Sequence, residues 1–344
     1  MRITIKDVAK QARVSPATVS LVLNNAPGVS AMTREKVLRV IAEIDYKPDA
    51  LARRFSSGRT EAIALIMPPE IISLYDPYFM SLIRGAIEAA RDRGFRMLLE
   101  LADARFMEQR IWEDLFRKKY VDGLVIATPF LDQEYLSEIP RAGFQAILVN
   151  GDRSDIPELD YVGYDDVRCG FEATYYLIGL GHRRIAHFAG PTNQASALKR
   201  FEGFRQALER ARIPFRPEDI YPGDYMSEMA AAAMRRMLSR PTEDRPTAIF
   251  AANDTTALGA MEVAKSAGLA VPEHISIIGV DDTGAAALAQ PGLTTMRQDI
   301  HALTYRAVCR FLRKLEERAP ERIHERSPMT LIERGSCAPP EGRR

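Results

Sequence analysis

The 344 residues are 46% hydrophobic and 27% charged, and 47 Lys and Arg stand against 46 Asp and Glu for a net charge of +1. That length fits two or three domains of ~100–200 residues each, the composition excludes global disorder, and no run reaches the ~20 apolar residues a membrane helix needs. Met1–Asp7 turns polar before an apolar signal segment can form, and Cys169, Cys309 and Cys337 lie far apart without a CxxC. The expectation is therefore a cytoplasmic protein with reduced thiols, no membrane association, no metal and no cofactor.

The first 46 residues read as three short helices. Thr4-Ile5-Lys6-Asp7 has the form of a helix start, with Val8, Ala9 and Ala12 on one face. Ser15-Pro16 is a cap followed by a first-turn proline, and the helix it opens runs to about Leu23, burying Val19 and Val22. Ser30 caps a third, with Val37, Val40, Ile41 and Ile44 at helical spacing. Residues 47–60 read as a linker holding a short helix capped by Asp49, too short to stand alone. Residues 1–60 hold eleven Lys and Arg against five acids, so this segment is +6 and the remainder −5. A basic helix–turn–helix on an acidic body points to a polyanion partner, with the second helix placed to enter a DNA major groove. A plain helical hairpin is the alternative.

From residue 61, buried strands alternate with amphipathic helices. Strands are expected at 62–67, 95–101, 123–127, 145–149, 184–189, 247–251 and 276–280. Helices are expected at 79–93, 106–119, 133–142, 167–180, 197–211, 227–238 and 255–267. The alternation predicts an α/β fold with doubly wound parallel sheets, and about 275 residues is long for one such sheet. Two subdomains are therefore expected, roughly 61–164 with 296–326 and 165–295 with 327–338, followed by a disordered tail at 339–344.

Thr4-Ile5-Lys6-Asp7-Val8-Ala9-Lys10, Val14-Ser15-Pro16-Ala17-Thr18-Val19-Ser20 and Tyr46-Lys47-Pro48-Asp49-Ala50-Leu51-Ala52-Arg53 together resemble the LacI/GalR family of bacterial transcription regulators. The resemblance continues in Asp76-Pro77-Tyr78-Phe79, Asp122-Gly123-Leu124, Gly181-His182-Arg183-Arg184-Ile185-Ala186, Asn253-Asp254 and Leu331-Ile332-Glu333-Arg334. It implies a helix-turn-helix head (1–46), a hinge helix (47–60) and a core (61–338) shaped like periplasmic sugar-binding proteins, which binds a small effector and forms the dimer interface. The implied partners are a double-stranded DNA operator, a second copy of the chain and an effector.

In the head, the resemblance places Pro16, Ala17 and Leu21 against base edges, with Ser15, Thr18, Ser20 and Asn24 at or near phosphates and Thr4 among the DNA-binding residues. None of the three base-facing residues can make a bidentate hydrogen bond, so readout should use thymine methyls and DNA shape. The alternative places Leu21 in the core of the head. In the hinge, Phe55 stands where the family usually has Leu and would wedge into the minor groove, with Arg53 and Arg54 flanking it on phosphates.

In the core, the resemblance implies an effector cleft of Tyr78, Phe79, Gln194, Ser196, Arg200, Tyr225, Asn253 and Asp281, with Asp152 and Asp165 beside it. Arg200 and Asp281 could grip vicinal hydroxyls, Asn253 offers donor and acceptor, and an aromatic ring could stack on a sugar face. Each has a structural alternative: Asp281 as a helix cap, Arg200 paired with a surface acid, Tyr78 and Phe79 as packing at a helix start. Gln194 stands where purine-responsive relatives carry Arg, which favours an uncharged polyol over a nucleobase.

Catalysis is not expected. The pairs Asp165-Asp166 and Asp281-Asp282 sit where helices begin and point apart, and the five His show no metal spacing. His182 reads as a polar capping residue. Gly335–Gly342 cannot form the leucine-rich helix that makes some relatives tetramers, so a dimer is expected.

Overall fold

The computed structural model describes residues 4–23, 27–46, 59–69 and 77–340. The chain divides into two units, residues 1–60 and 61–344. Asn24, Asp49, Arg53, Arg54 and Phe55 lie outside the described residues.

In the first unit, α1 (Ile5–Ala12), α2 (Pro16–Leu23) and α3 (Ala31–Glu43) follow the expected order. Each start is capped by the residue its sequence offers. The Asp7 carboxylate accepts from the Thr4 amide at 2.8 Å and the Thr4 hydroxyl at 2.7 Å. Those two bonds hold the Asp7 pKa below its ordinary value. Ser15 Oγ accepts from the Thr18 amide at 3.0 Å and Ser30 Oγ from the Thr33 amide at 3.2 Å, each cap stabilising its helix by ~1 kcal/mol. Val8, Ala9, Ala12, Val19, Val22, Val37, Val40 and Tyr46 close a small core. Leu21 is not in it: 40% of its surface is exposed, so the core alternative for this side chain is excluded.

The second unit is built on two sheets. β1 (Ala62–Met67), β2 (Arg96–Leu101), β3 (Gly123–Ala127), β4 (Ala146–Val149), β5 (Asp160–Tyr164) and β11 (His324–Ser327) form the first, in the order β11-β5-β4-β3-β1-β2, all parallel. β6 (Ile185–Ala189), β7 (Ile220–Pro222), β8 (Ala248–Ala251), β9 (Ser276–Asp281), β10 (Thr294–Arg297) and β12 (Thr330–Ile332) form the second, in the order β12-β10-β9-β8-β6-β7. Only β12 runs antiparallel to its neighbour there. The central strands are buried along their whole length, as a parallel sheet covered on both faces requires. The chain crosses between sheets after β5, after β10 and after β11.

Helices α4 (Pro77–Asp92), α5 (Ala104–Glu108), α6 (Ile111–Arg117), α7 (Tyr135–Arg141) and α13 (Ile300–Glu317) accompany the first sheet. Helices α8 (Asp166–Gly179), α9 (Ala195–Arg210), α10 (Ser227–Leu238), α11 (Asp254–Ser266) and α12 (Gly284–Leu288) accompany the second.

The helix expected over 106–119 is broken in two. Arg110 takes a left-handed conformation (φ 50), which starts α6 in a new direction so that Phe106, Trp112 and Leu115 all reach one buried cluster. Burying each such side chain stabilises the fold by ~1.5–3 kcal/mol, enough to outweigh one left-handed residue. The strands β5, β7, β10, β11 and β12 and the helices α12 and α13 were not anticipated. In α13 the pattern was present, since Ile300, Leu303, Ala307, Val308, Phe311 and Leu312 share one buried face.

Candidate functional site

Between the sheets lies a cleft with an empty volume of about 470 Å³. Tyr78, Phe79, Gln194, Ser196, Arg200, Tyr225, Asn253 and Asp281 line it, and so do Thr128, Asn150 and Gln298. Nearly all of them sit at or just beyond the C-terminal ends of parallel strands, or at the helix start that follows. That is where open α/β sheets leave a crevice for ligands. Thr128 follows β3 and Asn150 follows β4; Asn253 follows β8 and Asp281 ends β9.

The buried Arg200 on α9 is the cleft's fixed point. Its Nε donates to Asp166 Oδ1 at 2.8 Å and its Nη1 to the Ala252 carbonyl at 2.6 Å. The alternative of a surface partner is thus replaced by a buried one, with side chains 3% and 9% exposed. Burial raises the Asp166 pKa above its ordinary value, and the Arg200 charge pulls it back. Asp165, one residue earlier, caps α8 by accepting from the Arg168 amide at 3.0 Å. The two carboxylates therefore point apart, as expected.

Asn253 caps α11, its Oδ1 accepting from the Thr256 amide at 2.9 Å. One lone pair of the Asn253 oxygen is thereby committed to the helix, while its Nδ2 donor is the stronger candidate for a ligand contact. Asp281 is not a cap. Thr283 caps α12, accepting from the Ala286 amide, while Asp281 accepts from Gln298 Nε2. Asp282 is held away by Arg297 and Arg334, each at 2.5 Å. Below this loop the buried Asp254 accepts from the Thr283 amide at 2.8 Å and from Thr295 Oγ1 at 2.6 Å. Burial pushes the Asp254 pKa up to about 6.

Aromatic rings form part of the walls. Tyr78 and Phe79 meet edge to face at 4.9 Å, and Asn150 Nδ2 donates to the Tyr78 hydroxyl at 2.5 Å. The Tyr225 ring lies on Gly190, where a Cβ would come within 2.6 Å of it, and its hydroxyl is 3.3 Å from Ser196 Oγ. Burial raises the pKa of both tyrosines, so both are neutral hydroxyls at pH 7. Thr128 Oγ1 and Asn150 Oδ1 are buried without a partner, two acceptors left for a bound molecule. Thr128 (φ 42), Asn150 (φ 50), Tyr225 (φ 62) and Asp281 (φ 130) all have positive φ. Backbone strain of this kind gathers at ligand sites.

Asp152 and Asp165 do not line the cleft. Asp152 is ion-paired to Lys199 and Arg326. Thr128, Asn150 and Gln298 were missed by the sequence reading, although the first two immediately follow expected strands. His182 makes polar contacts with Thr247 Oγ1 (2.8 Å), Ser276 Oγ (3.1 Å) and the Ala338 carbonyl (3.0 Å).

In the first unit, α2 buries Val19 and Val22 and exposes Pro16, Ala17 and Leu21, with Ser15 exposed at its cap. Thr18 and Ser20 are half-buried and Thr4 is exposed. Among the described residues no group of His, Cys, Asp and Glu could hold a metal ion, and no helix is long and apolar enough to cross a membrane.

Residues 4–49 match the family described as bacterial regulatory proteins, lacI family, and residues 174–337 match the periplasmic binding protein-like domain. The chain is 36% identical over 303 residues to the HTH-type transcriptional regulator DegA of Bacillus subtilis, covering 87% of this chain and 88% of that one. The chain belongs to the LacI family. It is accordingly a DNA-binding transcriptional regulator with a helix-turn-helix domain and a periplasmic-binding-like effector core. The HTH-type transcriptional repressor PurR of Pasteurella multocida is 33% identical over 96% of this chain and 97% of its own length. The lac repressor dimer bound to operator and the anti-inducer ONPF superposes with a TM-score of 0.80 at 29% identity, covering 98% of this chain and 100% of that one.

Proposed function

We propose that this LacI-family regulator represses transcription as a cytoplasmic homodimer on a pseudo-palindromic operator, and that a neutral sugar or related polyol in the cleft switches it. One observation carries the choice of effector: Arg200, the one cation among the described residues that line the cleft, is already engaged within the protein. Arg200 is ion-paired to the buried Asp166, and the other charged residue of the described lining, Asp281, is a carboxylate. A phosphate would find no cation cluster among these residues and would meet the Asp281 carboxylate. A polyol would find the Asn253 amide donor, the unpartnered acceptors Thr128 Oγ1 and Asn150 Oδ1, and the Tyr225 and Phe79 rings.

Two-fold pairing is supported by the first sheet's edge. β2 ends that sheet, and Leu99 and Leu101 on it are 52% and 41% exposed, with Met80 and Ile87 exposed on the neighbouring α4. An apolar open edge of this kind is ordinarily covered by a partner. The lac repressor it resembles is a dimer bound to operator, and two-fold protein symmetry is mirrored in the operator.

The test is a thermal-shift screen of D-ribose, D-glucose, cellobiose, glucose 6-phosphate, hypoxanthine and cytidine. A sugar present at 100 times its Kd stabilises the core by about 2.7 kcal/mol. If only phosphorylated sugars or nucleobases and nucleosides shift the melt, the neutral-ligand reading is wrong. Deleting residues 1–60 is expected to abolish retention on duplexes selected from a random pool while leaving the sugar-induced shift intact.

A further inference from the structure

Asp152 stands two residues beyond Asn150, on the wall built from the first sheet. Lys199 stands one turn beyond Ser196 and next to Arg200, on the α9 wall. These two side chains form an ion pair between the two walls. Gly151 lets the loop between Asn150 and Asp152 lie on Pro129, where a Cβ would come within 2.4 Å of the ring. Beside the pair, two backbone segments meet: the Leu131 amide donates to the Asn193 carbonyl at 2.8 Å, and Phe130 and Gln194 form an antiparallel bridge. Arg153 braces the first of these segments by donating to the Phe130 carbonyl at 3.3 Å.

We infer that Asp152 and Lys199 form an electrostatic latch that holds the two subdomains closed over the cleft without a ligand. The inference rests on the cleft being the effector site, and it adds a regulator of that same site. The Lys199 side chain is 26% exposed and that of Asp152 11% exposed, so the pair is shielded from solvent more than a surface pair, yet near enough to water to break and re-form. Arg326 also reaches Asp152 at 2.5 Å, but it belongs to β11, in the same sheet that carries the Asp152 loop. Arg326 therefore adds charge to the triad without joining the subdomains. Lys199 is the member from the other side. Because Lys199 shares its turn of α9 with Ser196 and Arg200, a ligand that moves this turn moves the latch. The latch in turn sets how often the empty cleft opens to admit a ligand.

The test uses hydrogen exchange of the full-length protein without any effector, so its outcome does not depend on which effector is correct. The reporter is the segment Phe130–Gln133, which carries the Leu131 amide bonded across the cleft. Asp152→Asn and Lys199→Met are each expected to accelerate its exchange by about fivefold, while segments within β3 and β8 are unchanged. That factor corresponds to ~1 kcal/mol at 1.4 kcal/mol per tenfold. High salt should produce the same acceleration in the unmodified protein and less in the variants, because screening removes what the substitutions have already removed. Arg326→Met is expected to leave exchange unchanged or slower. Unchanged exchange in Lys199→Met, or equal acceleration in Arg326→Met, overturns the latch, since the network would then only stiffen the first sheet.

Discussion

Replacing Arg200 with Met tests the electrostatics of the cleft most directly. The substitution keeps most of the packing volume but leaves the Asp166 carboxylate buried with no cation. It also removes the bond to the Ala252 carbonyl. Breaking one partner out of a buried pair costs ~3–5 kcal/mol, a large part of the ~5–15 kcal/mol that holds a typical domain together. Urea unfolding followed by circular dichroism at pH 7 should show a loss of this size. The deficit should shrink as the pH falls. Without Arg200, the Asp166 pKa rises further above its ordinary value, so the unfavourable charge appears as pH rises through the carboxylate range and disappears once Asp166 is protonated in both folded and unfolded chains. The double variant Arg200→Met with Asp166→Asn should be more stable at pH 7 than Arg200→Met alone, because the stranded charge is gone. A deficit below ~1 kcal/mol, a deficit independent of pH, or a double variant as unstable as the sum of its parts would refute the account.

Other consequences can be measured separately. Gly170→Ala and Gly203→Ala place a Cβ 2.0 Å from the backbone oxygens of Arg200 and Val167 where α8 and α9 cross. Calorimetry should record a destabilisation of ~1–3 kcal/mol or more for each, since backbone cannot rotate aside. His187 is buried among Phe201, Phe204 and Phe250, and burial lowers its pKa to about 4. The fold therefore loses stability as pH falls from the ordinary histidine range toward 4, by something on the order of 3 kcal/mol, and a denaturation series on His187→Phe should show a shallower slope. Asn253→Asp keeps the cap on α11 but removes the amide donor, so the melting temperature should hold while the shift given by the best sugar in the screen is lost. Leu99→Lys with Leu101→Lys should convert the particle to one chain by light scattering; a variant that remains a dimer would move the interface elsewhere.

Much of this architecture was legible because a parallel sheet buried on both faces leaves an uninterrupted apolar run, as in Ala62–Met67 and Gly123–Ala127. The edges were not. β11, with the sequence His-Glu-Arg-Ser, carries no apolar signal and exists because β5 offers it a ladder. β7 is three residues long and ends in Pro222. Eight of the ten expected cleft residues do line the cleft, and their positions came from the family resemblance more than from spacing. Their roles were harder to read. That Arg200 is neutralised by Asp166, and that the Asn253 oxygen caps a helix, depends on which elements lie side by side in space. Asp152 shows the same limit: its charge is plain in the sequence, but one of its two partners, Lys199, is 47 residues away on the opposite wall. Thr128 and Asn150 could have been found, since each directly follows an expected strand on the side where such sheets bind ligands.

The internal pairing of Arg200 also bears on how occupancy could be transmitted. A ligand that supplied its own charge would be gripped by one residue, and its binding energy would concentrate on one wall. A neutral polyol must gather smaller contributions from both: Thr128 and Asn150 on the first sheet, Arg200, Tyr225 and Asn253 on the second. Binding distributed in this way is strongest when the walls stand at one separation, and so it favours one arrangement of the subdomains by the difference in contacts it makes in each. Positive φ at Thr128, Asn150, Tyr225 and Asp281 fits such a device, because a backbone held in unfavourable conformations by its surroundings presents its side chains at fixed positions before the ligand arrives. On this reading the cleft measures the distance between two rigid walls, and the residues that carry charge serve to keep those walls in place.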